Sequence, residues 1–262
     1  MSGLEKRSEV AVVTGAAQGI GRAVCEVMAR TGYAVCGLDR AFTDDSEEWE
    51  ARITRFGARD AAAFPFDLNK VETHSEIVSR IAERFGAVDI LINNAGIGSP
   101  KRGDMLDLTP ENFDATLGVN LRGTFFLTQA VARWMLHNAA KNGVNRSIVI
   151  VSSAGADIAS LERAEYCISK AALPMLTKLF ALRMSAAGVN LFEVRPGIVR
   201  TAMTSAVTAK YDAAISEGIV PAGRWAEPDD IADAINALVS GAFRFATGSH
   251  VFIDGGLSIQ RL

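Results

Sequence analysis

The sequence predicts an α/β protein, a doubly wound parallel sheet with helices on both faces. Three observations carry that prediction. Short apolar runs alternate with helical patterns along nearly all of the 262 residues, as βαβ units require. The runs are mostly β-branched and continuously apolar, as strands covered on both faces are. The first of them leads into a glycine-rich turn and then a helix.

Taken in order, strand-like runs fall at residues 10–14, 34–38, 61–66, 88–92, 147–151, 190–194 and 250–253. One helix follows Gly21 and ends at Gly32; a later one carries His74, Val78, Ile81 and Phe85 on one face and is stopped by Gly86. The helix after Tyr166 carries Leu173, Leu176, Phe180 and Met184, a stripe that suits a core face and a subunit interface equally. Residues 201–224 have weaker sheet character and lie where a mobile lid would sit. No repeat, low-complexity tract or linker divides the chain, so residues 1–262 read as one domain.

Composition narrows the function. Hydrophobic residues make up 49% and charged residues 22%, the mixture of a soluble protein with a substantial core. A net charge of -3 gives no general attraction to nucleic acid or anionic lipid. No run approaches the roughly 18 apolar residues of a membrane span, and Met1 to Glu9 lacks the apolar stretch of a signal peptide. Cys25, Cys36 and Cys167 have neither disulfide nor metal-ligand spacing, which suits reduced thiols in a cytoplasm. His74, His137 and His250 show no triad or metal spacing and read as structural, so no metal is expected.

The turn after the first strand is Thr14-Gly15-Ala16-Ala17-Gln18-Gly19-Ile20-Gly21. Glycines let the backbone turn tightly and approach a pyrophosphate, and the helix N-terminus adds free N–H groups and partial positive charge. The spacing differs by one residue from the usual dinucleotide fingerprint. Asp39 closes the second strand, 18 residues after Gly21. A carboxylate there accepts hydrogen bonds from ribose hydroxyls and repels a 2′-phosphate, favouring NAD over NADP. Arg40, beside it, is the residue that could pair with such a phosphate.

Tyr166 and Lys170 are four apart and share one helix face. Ser153 lies 13 residues before Tyr166, just beyond a buried strand, at the sheet end where ligands bind in open parallel sheets. With the glycine loop, Asn93-Asn94-Ala95-Gly96, Asn120 and Pro196-Gly197, these motifs span essentially the whole sequence in order. Together they resemble the short-chain dehydrogenase/reductase family. The resemblance implies a Rossmann-like sheet of seven strands in order 3-2-1-4-5-6-7 and a catalytic tetrad of Asn120, Ser153, Tyr166 and Lys170. It also implies cofactor contacts along Gly15, Gln18, Gly19, Ile20 and Gly21, and at Asp39 and Arg40. Asp67 is expected at the adenine amino group with Leu68 beside it, and Asn93, Ala95 and Gly96 near the adenosine ribose. Pro196, Gly197, Val199 and Thr201 are expected at the nicotinamide carboxamide, although Thr201 reads equally as a helix N-cap. Tyr166 and Lys170 complete the set at the nicotinamide ribose.

The chemistry of that tetrad can be stated physically. A free phenol titrates near pH 10, too high for a base at neutral pH. The Lys170 ammonium and a positive nicotinamide are expected to lower it. Tyr166 then takes the alcohol proton, Ser153 donates to the substrate oxygen, and Asn120, by the resemblance, positions a relay water. The reading is an NAD(H)-dependent oxidoreductase interconverting a secondary alcohol and a ketone.

The substrate is open between two enzyme readings. Residues 121–129 (LRGTFFLTQ) and 165–170 (EYCISK) resemble chains called 3-oxoacyl-acyl-carrier-protein reductase. Such reductases usually prefer NADPH and dock an acidic carrier on paired arginines. Here Asp39 opposes that cofactor, and Leu182 stands where a docking arginine is expected, with Arg183 out of register. The other reading is a small polar substrate, a polyol, sugar or hydroxy acid, bordered by Arg102, Asp104, Glu162 and Arg163. A catalytically silent NAD-sensing regulator is the remote alternative, since no tetrad residue is missing. Glu165 departs from the small residue usual before the tyrosine and is expected to face away from the substrate, with another subunit as a candidate neighbour. The resemblance further implies a homotetramer, built on the helices beginning near Asn112 and Glu165, with residues 254–256 and Leu262 near another interface.

Overall fold

Strands whose two faces are both apolar pair most readily in the middle of a layered structure, and every strand pairing here is parallel. The computed structural model describes residues 8–43, 46–140 and 144–261. Most of the N-terminal stretch read for a signal peptide (residues 1–7) and the C-terminal Leu262 lie outside them. Along the chain run β1 (Val10–Thr14), α1 (Gly19–Arg30), β2 (Ala34–Asp39), α2 (Glu47–Arg55), β3 (Ala61–Pro65), α3 (His74–Phe85) and β4 (Ile90–Asn93). Then follow α4 (Pro110–Leu117), α5 (Thr124–His137), β5 (Arg146–Val151), α6 (Ala164–Met184), β6 (Val189–Pro196), α7 (Thr208–Ser216), α8 (Pro228–Val239) and β7 (Ser249–Ile253). The sheet order is β3-β2-β1-β4-β5-β6-β7. The order reverses between β1 and β4, which opens a crevice beyond their carboxyl ends.

Alternation along each strand divides the core into two layers. Ala11 and Val13 of β1 pack with Ile231 and Ile235 of α8 and with α1. Val10 and Val12 face the other way, onto Ile77 of α3, Leu127 of α5 and Leu173 of α6. That second layer also takes Leu176, Phe180 and Met184, so the α6 stripe is core. The opposite side of α6 leaves Ile168, Met175, Leu179 and Leu182 exposed.

Element ends follow local chemistry. Gly86 adopts a left-handed φ of 75° and closes α3. β4 starts at Ile90 rather than residue 88 because Asp89 is buried and its carboxylate accepts from the Val10 N–H at 3.0 Å. Residues 201–224 are helical in part, with a 3₁₀ turn at Ala202–Val207 ahead of α7. Between α4 and α5 the backbone widens into a π-turn at Gly118–Gly123, a local irregularity common at functional sites. Among the described residues, no helix is long and apolar enough to cross a membrane.

Candidate active site

The turn from β1 into α1 is built by glycine. Gly15 and Gly19 take φ of 68° and 55°, left-handed conformations that side chains resist. Gly21 serves a different purpose: a Cβ there would come within 2.0 Å of the Gly15 carbonyl oxygen. The turn can close only because Gly21 has no side chain. Gln18, at the N-cap, makes no capping bond with its side chain, leaving first-turn N–H groups of α1 to an anion. This bare N-terminus and glycine cradle fit a dinucleotide pyrophosphate.

A cleft of about 500 Å³ opens at that turn. It is lined by Gly15, Gln18, Gly19 and Ile20, by Asp39, Arg40, Asp67 and Leu68, and by Ala95 and Gly96. Ser153, Tyr166, Lys170, Pro196, Gly197, Val199 and Thr201 complete its wall among the residues read from sequence. Of the four charged loop residues expected to border the pocket, Arg102 and Arg163 line it, whereas Asp104 and Glu162 do not. Three of the expected tetrad and cofactor residues are absent from that wall. Gly21 is behind the turn, as described. Asn93 ends β4 with its side chain turned into the core, where Nδ2 donates to Thr128 Oγ1 at 3.1 Å. Strand alternation instead sends Asn94 to the cleft, and its Nδ2 donates to the Thr14 carbonyl at 2.9 Å. Asn120 is also buried: its Oδ1 accepts from Ile97 N–H at 2.8 Å, and its Nδ2 donates to Ile97 O and Ser169 Oγ, both at 3.0 Å. It braces the wall from behind. A Cβ on Gly96 would sit 3.1 Å from Asn120 Oδ1 and 3.5 Å from Lys170 Nζ, so the glycine lets these groups approach.

Asp39 is fixed before any ligand arrives. Its Oδ2 accepts from Ala17 N–H at 3.0 Å and its Oδ1 from Ala41 N–H at 2.9 Å. Thr201 is the N-cap of the 3₁₀ turn, with its N–H donated to Thr204 Oγ1 at 3.1 Å, and it also lines the cleft.

The titrating groups stand differently from the expectation. Burial raises the Tyr166 phenol above its ordinary value of 10.0; a hydrogen bond with Ser153 and the charge of Arg163 oppose the rise. The Arg163 guanidinium lies over the Tyr166 ring, 5.3 Å from its centroid. In the protein by itself the leading influences on the phenol are burial, Ser153 and Arg163 rather than Lys170. The Lys170 Nζ donates to the Val151 carbonyl at 3.0 Å and lies 5.8 Å from the ring centroid. Burial brings Lys170 itself down to about 8, with Glu193 acting against the fall. Ser153 Oγ accepts from Gly155 N–H at 3.0 Å, which leaves its own proton to donate.

Other expectations are corrected or filled in. Glu165 does face away from the cleft, but into the protomer: it is 2% exposed, and its Oε1 has no hydrogen-bond partner among the described residues. His74 is buried with Nε2 against the Leu68 carbonyl at 3.0 Å. Among the described residues no group of three or more His, Cys, Asp or Glu is placed to hold a metal ion, and the three cysteines are free.

Sequence reading missed a charged cluster behind the site. Glu193 and Arg195 are both buried on β6. Glu193 Oε1 accepts from Ser152 Oγ at 2.5 Å and from Arg195 Nε at 2.7 Å, and Arg195 also pairs with Asp157. The signal was present: two charges at alternate positions of an otherwise apolar strand must share a face and be paired to be buried.

A family model described as enoyl-(acyl carrier protein) reductase matches residues 15–258. The chain is 31% identical to an NAD-dependent glycerol dehydrogenase of Listeria innocua, with 96% of this chain and 94% of the relative covered. It is likewise 31% identical to a 3-oxoacyl-[acyl-carrier-protein] reductase of Thermotoga maritima, covering 96% and 98%. A crystal structure of a 3-oxoacyl-[acyl-carrier protein] reductase from Brucella melitensis in complex with NAD superposes with a TM-score of 0.94 at 44% identity, covering 98% of this chain and 100% of that one. Similar solved structures hold NAD, NADH or NADP.

Proposed function

The chain belongs to the short-chain dehydrogenase/reductase family, and from that premise we propose that it is an NAD(H)-dependent enzyme interconverting a secondary alcohol and a ketone, with Tyr166 as acid–base residue. The observation that carries the reading is one cleft containing Ser153, Tyr166 and Lys170 at one end and the glycine turn with Asp39 at the other. Bound NAD supplies the hydride acceptor, and NADH the donor in the reverse direction.

The chain's own groups do the rest. Tyr166 takes the alcohol proton, or returns it to the forming alkoxide. Ser153 donates to the substrate oxygen, where negative charge develops. Lys170, an ammonium with three donors of which Val151 uses one, would hold the nicotinamide ribose. Asp39 would accept from the adenosine ribose. Asn120 acts here as a brace for residue 97 and the wall, in addition to any water it orders. The substrate class is a polyol, sugar or hydroxy acid, and residues 1–262 act as one catalytic unit of a cytoplasmic homotetramer. The exposed Met175, Leu179 and Leu182 on α6 and Phe126 on α5 support assembly. Light scattering tests it, with a monomer at micromolar concentration as the opposing result.

A second reading, 3-oxoacyl-acyl-carrier-protein reductase, is favoured by the names of the Thermotoga and Brucella relatives. One experiment separates the readings: a panel of polyols, sugars, hydroxy acids and acyl thioesters, followed by NADH absorbance with NAD(H) and NADP(H) side by side. Turnover of thioesters alone would replace the first reading by the second. NADH binding without turnover of any member would point to a silent NAD sensor.

A further inference from the structure

The two ends of the cleft differ in charge. Both acidic wall residues, Asp39 at the end of β2 and Asp67 after β3, lie at the adenosine end, beside Arg40. Around Tyr166 the charged wall residues are Arg102, Arg163 and Lys170, and no carboxylate lines that end. The nearby acids are already engaged. Glu162 pairs with Lys210 at 2.9 Å, Asp157 pairs with Arg195, and Asp104 accepts from Leu106 N–H at 3.0 Å. Among the described residues neither Arg102 nor Arg163 has a carboxylate within ion-pair distance, and Glu162, on which both their charges act, is hydrogen-bonded to Lys210. Both are only partly exposed. Their loops are joined: Gly103 N–H donates to the Glu162 carbonyl at 3.4 Å, which brings the two arginines to one wall. The cleft is also lined by apolar Met203, Ile219 and Leu257.

We propose that Arg102 and Arg163 receive a carboxylate of the substrate, so that the enzyme acts on small hydroxy acids and their oxo acids. The proposal rests on the dehydrogenase reading above and narrows it. Guanidinium forks match a carboxylate in two-point geometry, and a cation-only wall would leave an uncharged polyol without an ionic partner. In the reaction the hydroxyl-bearing C–H bond breaks and its hydride passes to NAD⁺. The O–H proton passes to Tyr166 and on to solvent, so the hydroxy acid is oxidised by two electrons and NAD⁺ is reduced to NADH. The carboxylate is unchanged.

The test uses matched pairs that differ only in charge: pyruvate, acetoacetate and levulinate, each against its amide. Binding is read by calorimetry on the NADH-loaded protein and by saturation-transfer NMR on the cofactor-free protein. At least one acid should bind at least tenfold tighter than its amide. Arg102→Gln and Arg163→Gln should each cut that ratio severalfold, and the double variant should bring it near one. Arg163→Lys, which keeps the charge, should retain most of it. Equal binding of acid and amide in all three pairs overturns the proposal, as does an undiminished ratio in the double variant. A phosphate arm (dihydroxyacetone phosphate) and a thioester arm (the N-acetylcysteamine thioester of acetoacetate) distinguish other sources of affinity. Tighter binding of either than of every acid also overturns it. Failure of NADH to bind, with the acid preference intact on the free protein, counts against the dehydrogenase reading and not against the arginine site.

Discussion

The adenosine end and the substrate end of the cleft are built on different principles. At the first, a contiguous turn, residues 14–21, and the ends of β2 and β3 supply nearly every group, and backbone N–H groups already hold the Asp39 carboxylate. At the second, the wall is gathered from four stretches: residues 97–102, 153–170, 196–219 and Leu257. On the proposed reading, recognition of a common cofactor is written locally and held by backbone. Recognition of a particular substrate is assembled by tertiary structure, from loops free to vary.

The largest expected effect tests whether chemistry belongs to the second end alone. Tyr166→Phe keeps the ring and its packing and removes the exchangeable proton. Turnover should fall by about 10²–10⁴-fold, the range for loss of a general acid or base, or roughly 3–5 kcal/mol of transition-state stabilisation. NADH affinity, measured by fluorescence, should change little. A variant retaining more than about a tenth of the rate would move the chemistry elsewhere in the cleft.

A smaller effect belongs to the adenosine end. NAD(H) should bind at least about tenfold tighter than NADP(H), equivalent to about 1.4 kcal/mol. Calorimetric titration of both cofactors measures it, and equal constants would remove Asp39 as the selector. Asp39→Ala should narrow the gap, leaving Arg40 to meet a 2′-phosphate.

The pH behaviour sharpens the contrast further. Because burial raises Tyr166 above 10.0 in the protein by itself, its phenol should stay protonated past pH 10 without cofactor. An ultraviolet difference titration of wild type against Tyr166→Phe reads this directly. Arg163→Gln should push the transition higher still, since the Arg163 charge opposes the rise. Titration below 10 in the free protein would mean the chain alone activates the phenol.

The subtlest expectation concerns motion. Residues 201–223 should exchange their amides fastest among the cleft walls in the free protein and slow in a ternary complex. Uniformly slow exchange in both states would make this wall as preformed as the glycine turn.

The same division explains what could be read from sequence. The strands follow from apolar periodicity, their order is implied by the family resemblance, and the structure has that order. The glycine turn, Asp39, Ser153, Tyr166 and Lys170 were legible because fixed spacing carries them. Asn93 is the expected cofactor contact, but Asn94 lines the cleft instead, since a one-residue step at the end of β4 decides which side chain meets it. The partner of the Lys170 ammonium, the carbonyl of Val151, could not be read from sequence, because it lies on another element of the fold. Glu165 gave no signal of its inward orientation, which depends on how α6 is rotated against the core.

The dual hold on Asp39 also bears on redesign. One carboxylate oxygen accepts from Ala17, inside the phosphate turn, and the other from Ala41, beyond β2. Replacing the residue to admit NADP would therefore remove a tether of the turn as well as the proposed selector of the ribose. Preference and loop order are coupled through one side chain, so variants made to switch cofactors should lose affinity for both unless a second substitution re-anchors the Ala17 amide. Directed evolution toward NADP on this scaffold would be expected to find such paired changes near residues 17 and 41 before it finds single ones.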